Sequence, residues 1–211
     1  MEALRIGIVA HNSRATEAHT LMETVGAAVL SMDNGSRGCS GNHIHVWETL
    51  STMPTQWSVV LEDDAVPVDG FREQLEQALT AAETPVVSLY LGTGHPSTKQ
   101  PRIAKAITTA QQNDTHWITT PHVLHAVALA IHTELLPDML THIKTSHWEI
   151  DRAISHWAET RHHPVAYTTP SLVDHLDGPT TTTHRRRTTH QPRHAWWAGT
   201  RIHWNTTSTP L

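Results

Sequence analysis

Glu62, Asp63 and Asp64 follow directly on the apolar run Trp57-Ser58-Val59-Val60-Leu61. Three adjacent carboxylates at the end of a buried strand repel one another and lose hydration, so they call for a cation or a structural partner. The simplest compensator is a divalent ion, held by one or two carboxylates together with the phosphate oxygens of a nucleotide. The plainer alternative is a solvated acidic turn after a strand. A second acidic group lies in His147-Trp148-Glu149-Ile150-Asp151-Arg152. Acids in a first helical turn complement the macrodipole, yet Glu149 or Asp151 could equally serve as a general base. His175, within Asp174-His175-Leu176-Asp177-Gly178, taken alone is a surface histidine in an acidic turn.

The elements that must position these groups alternate along the first half of the chain. Leu4 to Val9 reads as a buried strand, followed by the polar loop His11-Asn12-Ser13-Arg14 and a helix over 15–25 with apolar Ala18, Leu21, Met22 and Val25. Ala28 to Met32 reads as a second strand ending in the turn Asp33-Asn34-Gly35. Residues 35–41 read as a flexible loop, with Asn42 capping a helix that carries Val46, Trp47 and Leu50. The strand 58–61 delivers the acids. Asp69 is expected to cap a helix over 70–82, and Val86 to Leu91 reads as a further strand. Beyond this, 123–131 fits a strand or a buried helix, 134–143 and 149–158 read as helices, and 165–168 as a short strand. Strand and helix alternation predicts an open α/β sheet with ligands at the carboxyl ends of its strands.

Composition excludes several classes. With 211 residues the chain can bury one substantial core, and no run approaches the 18 apolar residues of a membrane span. The start, Met1-Glu2-Ala3-Leu4, leads into a strand rather than a signal-type segment, so a cytosolic location is expected. Cys39 is the sole cysteine, which leaves no internal disulfide and no cysteine-rich zinc site. Gly92-Thr93-Gly94 lacks the spacing of a dinucleotide fingerprint or a P-loop. The 19 histidines are scattered, apart from close pairs such as His43/His45 and His162/His163, so bulk metal storage is not indicated.

Charge divides the chain in two. Residues 1–179 carry 10 basic and 20 acidic side chains, whereas residues 180–211 carry Arg185, Arg186, Arg187, Arg193 and Arg201 and no acid. The expected organisation is a catalytic-size domain over 1–179 and an extended basic tail over 180–211, which faces an anionic partner or folds back on the acidic body.

The run Val59-Val60-Leu61-Glu62-Asp63-Asp64-Ala65 resembles the strand-end acidic motif of glycosyltransferase family 25 and related enzymes of the GT-A fold. Pro170-Ser171-Leu172-Val173-Asp174-His175 is similar to the later segment from which a histidine completes the metal site in several such enzymes. The resemblance spans about residues 1–179; compact enzymes of this kind occur in phage genomes. It implies a GT-A-like open mixed sheet flanked by helices and a hexosyltransferase-type reaction. The donor would be a nucleotide sugar, most often a uridine diphosphate sugar, with Mn²⁺ or Mg²⁺ as cofactor and inversion at the anomeric carbon. Transferred residue by residue, it makes Glu62, Asp64 and His175 metal ligands, with Asp64 first. Glu62 replaces the leading Asp of a DxD-type triplet, which leaves its division of labour with Asp63 open. His11, Asn12 and Arg14 after the first strand, and Asp33 after the second, would meet the nucleotide, with Asp63 as a further contact. Asp151, ahead of Glu149, would be the base, and Trp148 could stack on a sugar face. The acceptor could be a glycan, a protein or a modified DNA base.

Two other classes use the same features. A metal-dependent nucleotidyltransferase or phosphohydrolase could employ the acidic strand end. A non-catalytic nucleic-acid-binding module could use the arginines with Trp196, Trp197 and Trp204.

Overall fold

The computed structural model describes residues 2–176 and 193–211. Its frame is one mixed eight-stranded sheet with helices on both faces, the architecture expected for a GT-A-like chain. In chain order its first elements are β1 (Glu2–His11), α1 (Ala15–Val25), β2 (Val29–Asp33), α2 (Gly38–Ser51), β3 (Thr55–Glu62), β4 (Ala65–Pro67), α3 (Phe71–Ala81) and β5 (Val86–Ser88). There follow α4 (Gln100–Asn113), β6 (Trp117–Thr120), β7 (Ala128–His132), α5 (Leu136–Lys144), α6 (Ile150–Thr160), β8 (Val165–Thr168), β9 (Val173–His175) and β10 (Ser208–Pro210). The strand order is β10-β6-β8-β5-β7-β3-β1-β2, and β4 pairs with β9 in a separate two-stranded ribbon.

The parallel trio β2, β1 and β3 brings three carboxyl ends together, because His11 pairs with Asp33 and Val9 with Glu62. That is the end of an α/β sheet at which ligands bind. One face of the sheet is covered by α2, α4, α5 and α6, around Trp47, Leu50, Ile103, Met139 and Trp157. The other is covered by α1 and α3, around Leu21, Phe71 and Leu75. Close approach of α2 requires Gly7 in β1: a Cβ there would lie 2.5 Å from Val46 Cγ1 and 3.2 Å from Leu50 Cδ1. Gly26, at φ 62°, ends α1 in the left-handed conformation that glycine tolerates best.

Three local expectations are corrected. The helix after β2 begins at Gly38, so Asn42 lies inside it; its side chain donates to Ala10 O and Ser31 O and accepts from Ser31 Oγ, bracing β1 against β2. Asp69 does not cap α3, since the residue before that helix is Gly70 in the left-handed region with no side-chain cap. Of 123–131, only 128–132 is regular, as a strand.

The described part of the tail is built into the fold. β10 extends the sheet beside β6, Trp204 packs on the core below α3, and Trp117 lies 5.4 Å from it, ring to ring. Arg201 folds back: it pairs with Asp114 at 2.7 Å and donates to Thr169 O and Thr115 O. The boundary at 179/180 and Arg185, Arg186 and Arg187 lie outside the described residues. No helix among the described residues is long and apolar enough to cross a membrane.

Candidate functional site

Asp63 is compensated by structure rather than left open. Its Oδ2 accepts the His11 backbone N–H at 2.7 Å and its Oδ1 the Arg14 guanidinium at 2.8 Å, which ties the loop after β1 to the end of β3. The same Arg14 nitrogen reaches Asp64 Oδ2 at 2.6 Å. Burial would lower the Arg14 pKa, and the two carboxylates outweigh it and raise it. The His11 ring caps the short turn at Asn12 through Ser13, and Asn12 is exposed.

Asp64 meets His175 because β4 runs antiparallel to β9, pairing Ala65 with His175, while Leu176 N–H donates to Asp64 O at 2.8 Å. Two residues distant in sequence thus come side by side, with His175 Nε2 3.4 Å from Asp64 Oδ2. The His175 Nδ1 lies 2.8 Å from Leu176 O, and a carbonyl only accepts. The hydrogen of neutral His175 therefore sits on Nδ1, leaving the Nε2 lone pair facing the acid. Asp64 Oδ1 is buried and has no hydrogen-bond partner. Burial first, then Glu62, raise the Asp64 pKa against the opposing effects of His175 and Arg14. A buried carboxylate with an orphan oxygen beside an imidazole lone pair fits a hard-to-borderline divalent ion.

Glu62 faces a different neighbour. Its Oε1 lies 3.0 Å from His43 Nε2, on the buried side of α2, and Cys39, His43 and Glu62 offer ligand atoms within 4.8 Å of one another. It is not in direct contact with the Asp64–His175 pair but lies within its electrostatic reach: burial would raise its pKa, and His43, His175 and Arg193 outweigh it.

The segment 193–198 is strapped across this end of the sheet. Asp174 accepts the Ala195 N–H at 2.6 Å and faces the His194 ring, Trp196 N–H donates to Leu91 O, and Tyr90 Oη donates to Arg193 O at 3.0 Å. The strap sets the Arg193 guanidinium within charge range of Glu62, Tyr90 and His125. Burial, then His95, lower the His125 pKa to about 4, and its Nε2 is buried without a partner.

A cavity of about 580 Å³ is lined by Glu149, Asp151, Lys99, His122 and Arg152 among others, and its Asp151 lies within charge range of Glu62. Glu149 is the residue before α6 and Asp151 stands in its first turn. Burial, with Glu149 and Glu62 adding to it, raises the Asp151 pKa although Arg152 N–H bonds one of its oxygens. Trp148 is half-open at the rim, with Arg152 stacked 4.6 Å over its ring.

Asp33 lies at the same sheet end but its oxygens build the following loop. They accept from Gly35 N, Ser36 Oγ, Arg37 N and Gly38 N, which together outweigh burial and lower its pKa. The structure thus gathers His11, Arg14, Asp63, Asp64 and His175 into one contact network, with Glu62 in its electrostatic reach and Asp151 in turn within that of Glu62. Sequence reasoning missed His43, Tyr90, His125 and Arg193. A histidine four residues beyond Cys39 on one helix was a usable signal for His43; the other three depend on the strap.

No known protein-family profile matches the chain, and no curated protein matches it. Two solved structures are similar at low identity. Protein A197 from STIV is 10% identical with a TM-score of 0.49, covering 91% of this chain and all of its own. A glycosyltransferase involved in the glycosylation of the major capsid of PBCV-1 is 9% identical with a TM-score of 0.33, covering 68% of each chain. At these scores neither likeness bears on chemistry, which rests on the site itself.

Proposed function

We propose that this chain is a metal-dependent glycosyltransferase that moves a sugar from a nucleotide sugar to an acceptor hydroxyl. The observation that carries the reading is the Asp64–His175 pair, with its orphan carboxylate oxygen and imidazole Nε2 facing it, at the same sheet end as Glu62, whose charge reaches the cavity carboxylate Asp151. Asp64 and His175 would hold a Mn²⁺ or Mg²⁺ ion, with Glu62 acting through charge. The ion, when bound, supplies Lewis-acid stabilisation of the departing nucleoside diphosphate. Arg193 adds a positive charge beside the same oxygens. Asp151, through the oxygen not bonded to Arg152 N–H, takes the proton from the attacking hydroxyl, and its raised pKa makes it a stronger base than an exposed carboxylate. Arg14 and Asp63 fix the loop after β1 where a nucleotide meets the sheet end.

The test is a screen of nucleotide sugars, uridine diphosphate sugars first, for Mn²⁺-dependent release of nucleoside diphosphate. Turnover of free nucleotides that needs no sugar on the diphosphate would point instead to phosphohydrolysis. Cleavage of no donor in the presence of any acceptor would overturn the reading.

A further inference from the structure

Resting on the glycosyltransferase reading, we propose that the cavity beside Asp151 takes an acceptor sugar that carries an oxyanion, a phosphate or a carboxylate, close to the hydroxyl that is glycosylated. The cavity wall carries both signs of charge: Glu149 and Asp151 stand in it together with Lys99, His122, His147 and Arg152. Among the described residues, Lys99 and Arg152 have no ion-pair partner, and the His122 and His147 rings have no hydrogen-bond partner. The Arg152 guanidinium stacks on the face of Trp148. This contrasts with Arg14, which is tied to two acids, and with Arg201, which is tied to Asp114.

Cations that converge on a concave wall without partners stay hydrated until something anionic replaces the water. Lys99 is half-buried, and burial together with Arg102 lowers its pKa, with Glu159 opposing. Burial and Lys99 do the same to His122, so these two groups face each other's charge and would gain from a shared anion. The two acids in the same wall disfavour an acceptor that is anionic throughout. What fits is a molecule with a hydroxyl at Asp151 and an oxyanion at Lys99, His122 and Arg152. The volume, about 580 Å³, lies within the ~300–1,000 Å³ of small-molecule pockets, which favours a sugar over a duplex laid along a groove. The exposed edge of Trp148 at the rim offers an apolar surface for a sugar ring.

The experiment is a binding titration on the full chain, read by tryptophan fluorescence and calorimetry and therefore independent of turnover. The probes are a hexose, the same hexose as its 6-phosphate, and the corresponding hexuronate. The proposal expects at least one anionic probe to bind about tenfold or more tightly than the neutral hexose, with affinity falling as salt rises. A preference for the 6-phosphate over the hexuronate, or the reverse, identifies the oxyanion. Lys99→Gln combined with Arg152→Gln should erase the difference, Lys99→Arg should keep it, and both side chains are accessible enough for a thermal melt to verify folding. Equal binding of neutral and anionic probes, or an unchanged preference in the double variant, overturns the proposal. Tighter binding of a single-stranded oligonucleotide than of either anionic probe overturns it in favour of nucleic acid. Failure of the glycosyltransferase reading shows separately, as absence of nucleoside diphosphate release with the anion preference intact.

Discussion

Replacing Arg201 with Met keeps most of the aliphatic stem and removes the guanidinium bonds to Thr169 O, Thr115 O and Asp114 that help join the C-terminal segment to the body. Its Nε donates to Thr169 O at 2.6 Å and its Nη2 to Thr115 O at 3.0 Å. Thr169 is fully buried and Thr115 is 8% exposed. A buried acceptor left without a partner costs roughly 1–3 kcal/mol, so the two carbonyls together lose about 3 kcal/mol if water reaches the outer one. The bond to Asp114 is left out, because that carboxylate is 81% exposed and screened by solvent. In a domain of this size 1 kcal/mol moves the melting temperature by about 2–4 °C, so Arg201→Met should lower Tm by about 6–12 °C. Arg201→Lys should lose most of the same amount, since a single ammonium cannot reproduce the planar fork. Scanning calorimetry reads the effect. A shift under 2 °C would refute the view that residues 193–211 are part of the fold.

Asp151→Asn should lower turnover by about 10²–10⁴-fold while nucleotide-sugar binding, measured by calorimetry, stays near wild type; Glu149→Gln should have the smaller effect. Because Asp151 must be ionised to accept a proton and its pKa is raised, the acid limb of the pH–rate profile should lie above the ordinary carboxylate range. Asp63→Ala should destabilise the chain, as it removes charge-assisted bonds to His11 N–H and Arg14, each worth roughly 1.5–3 kcal/mol; urea denaturation tests this. His125 titrates near 4 in the folded chain against 6.5 for an ordinary histidine, so the unfolded chain binds the extra proton first. Stability should therefore fall as pH drops from about 6.5 to about 4, by on the order of 3 kcal/mol, and His125→Phe should flatten that dependence in pH-resolved melts.

The part of the fold that was legible in the sequence is the part governed by local periodicity. The apolar spacing of Ala18, Leu21, Met22 and Val25 marked α1, and the apolar run 57–61 marked β3. α4 was missed because its buried face is thin, with Ile103, Ala106, Ile107 and Ala110 spread among Thr and Gln. β4 and β9 are three residues each and have no hydrophobic pattern; only resemblance drew attention to His175, and their pairing supplies the reason it reaches Asp64. Asn42 looked like a cap because its type favours caps, but a tertiary demand for a buried amide between β1 and β2 prevailed over that preference. Composition suggested a tail with little core of its own and left open that it folds back on the body; in the described part Trp204 and Arg201 do fold back, through core and carbonyl partners that no local signal announces.

The metal site is tested most directly by titrating Mn²⁺ into the full chain with a nucleoside diphosphate present and counting bound ions by electron paramagnetic resonance. The account predicts one ion per chain, lost in Asp64→Asn and weakened about tenfold or more in His175→Ala, with both variants folded by thermal melt. Equal Mn²⁺ affinity in wild type, Asp64→Asn and His175→Ala would contradict it.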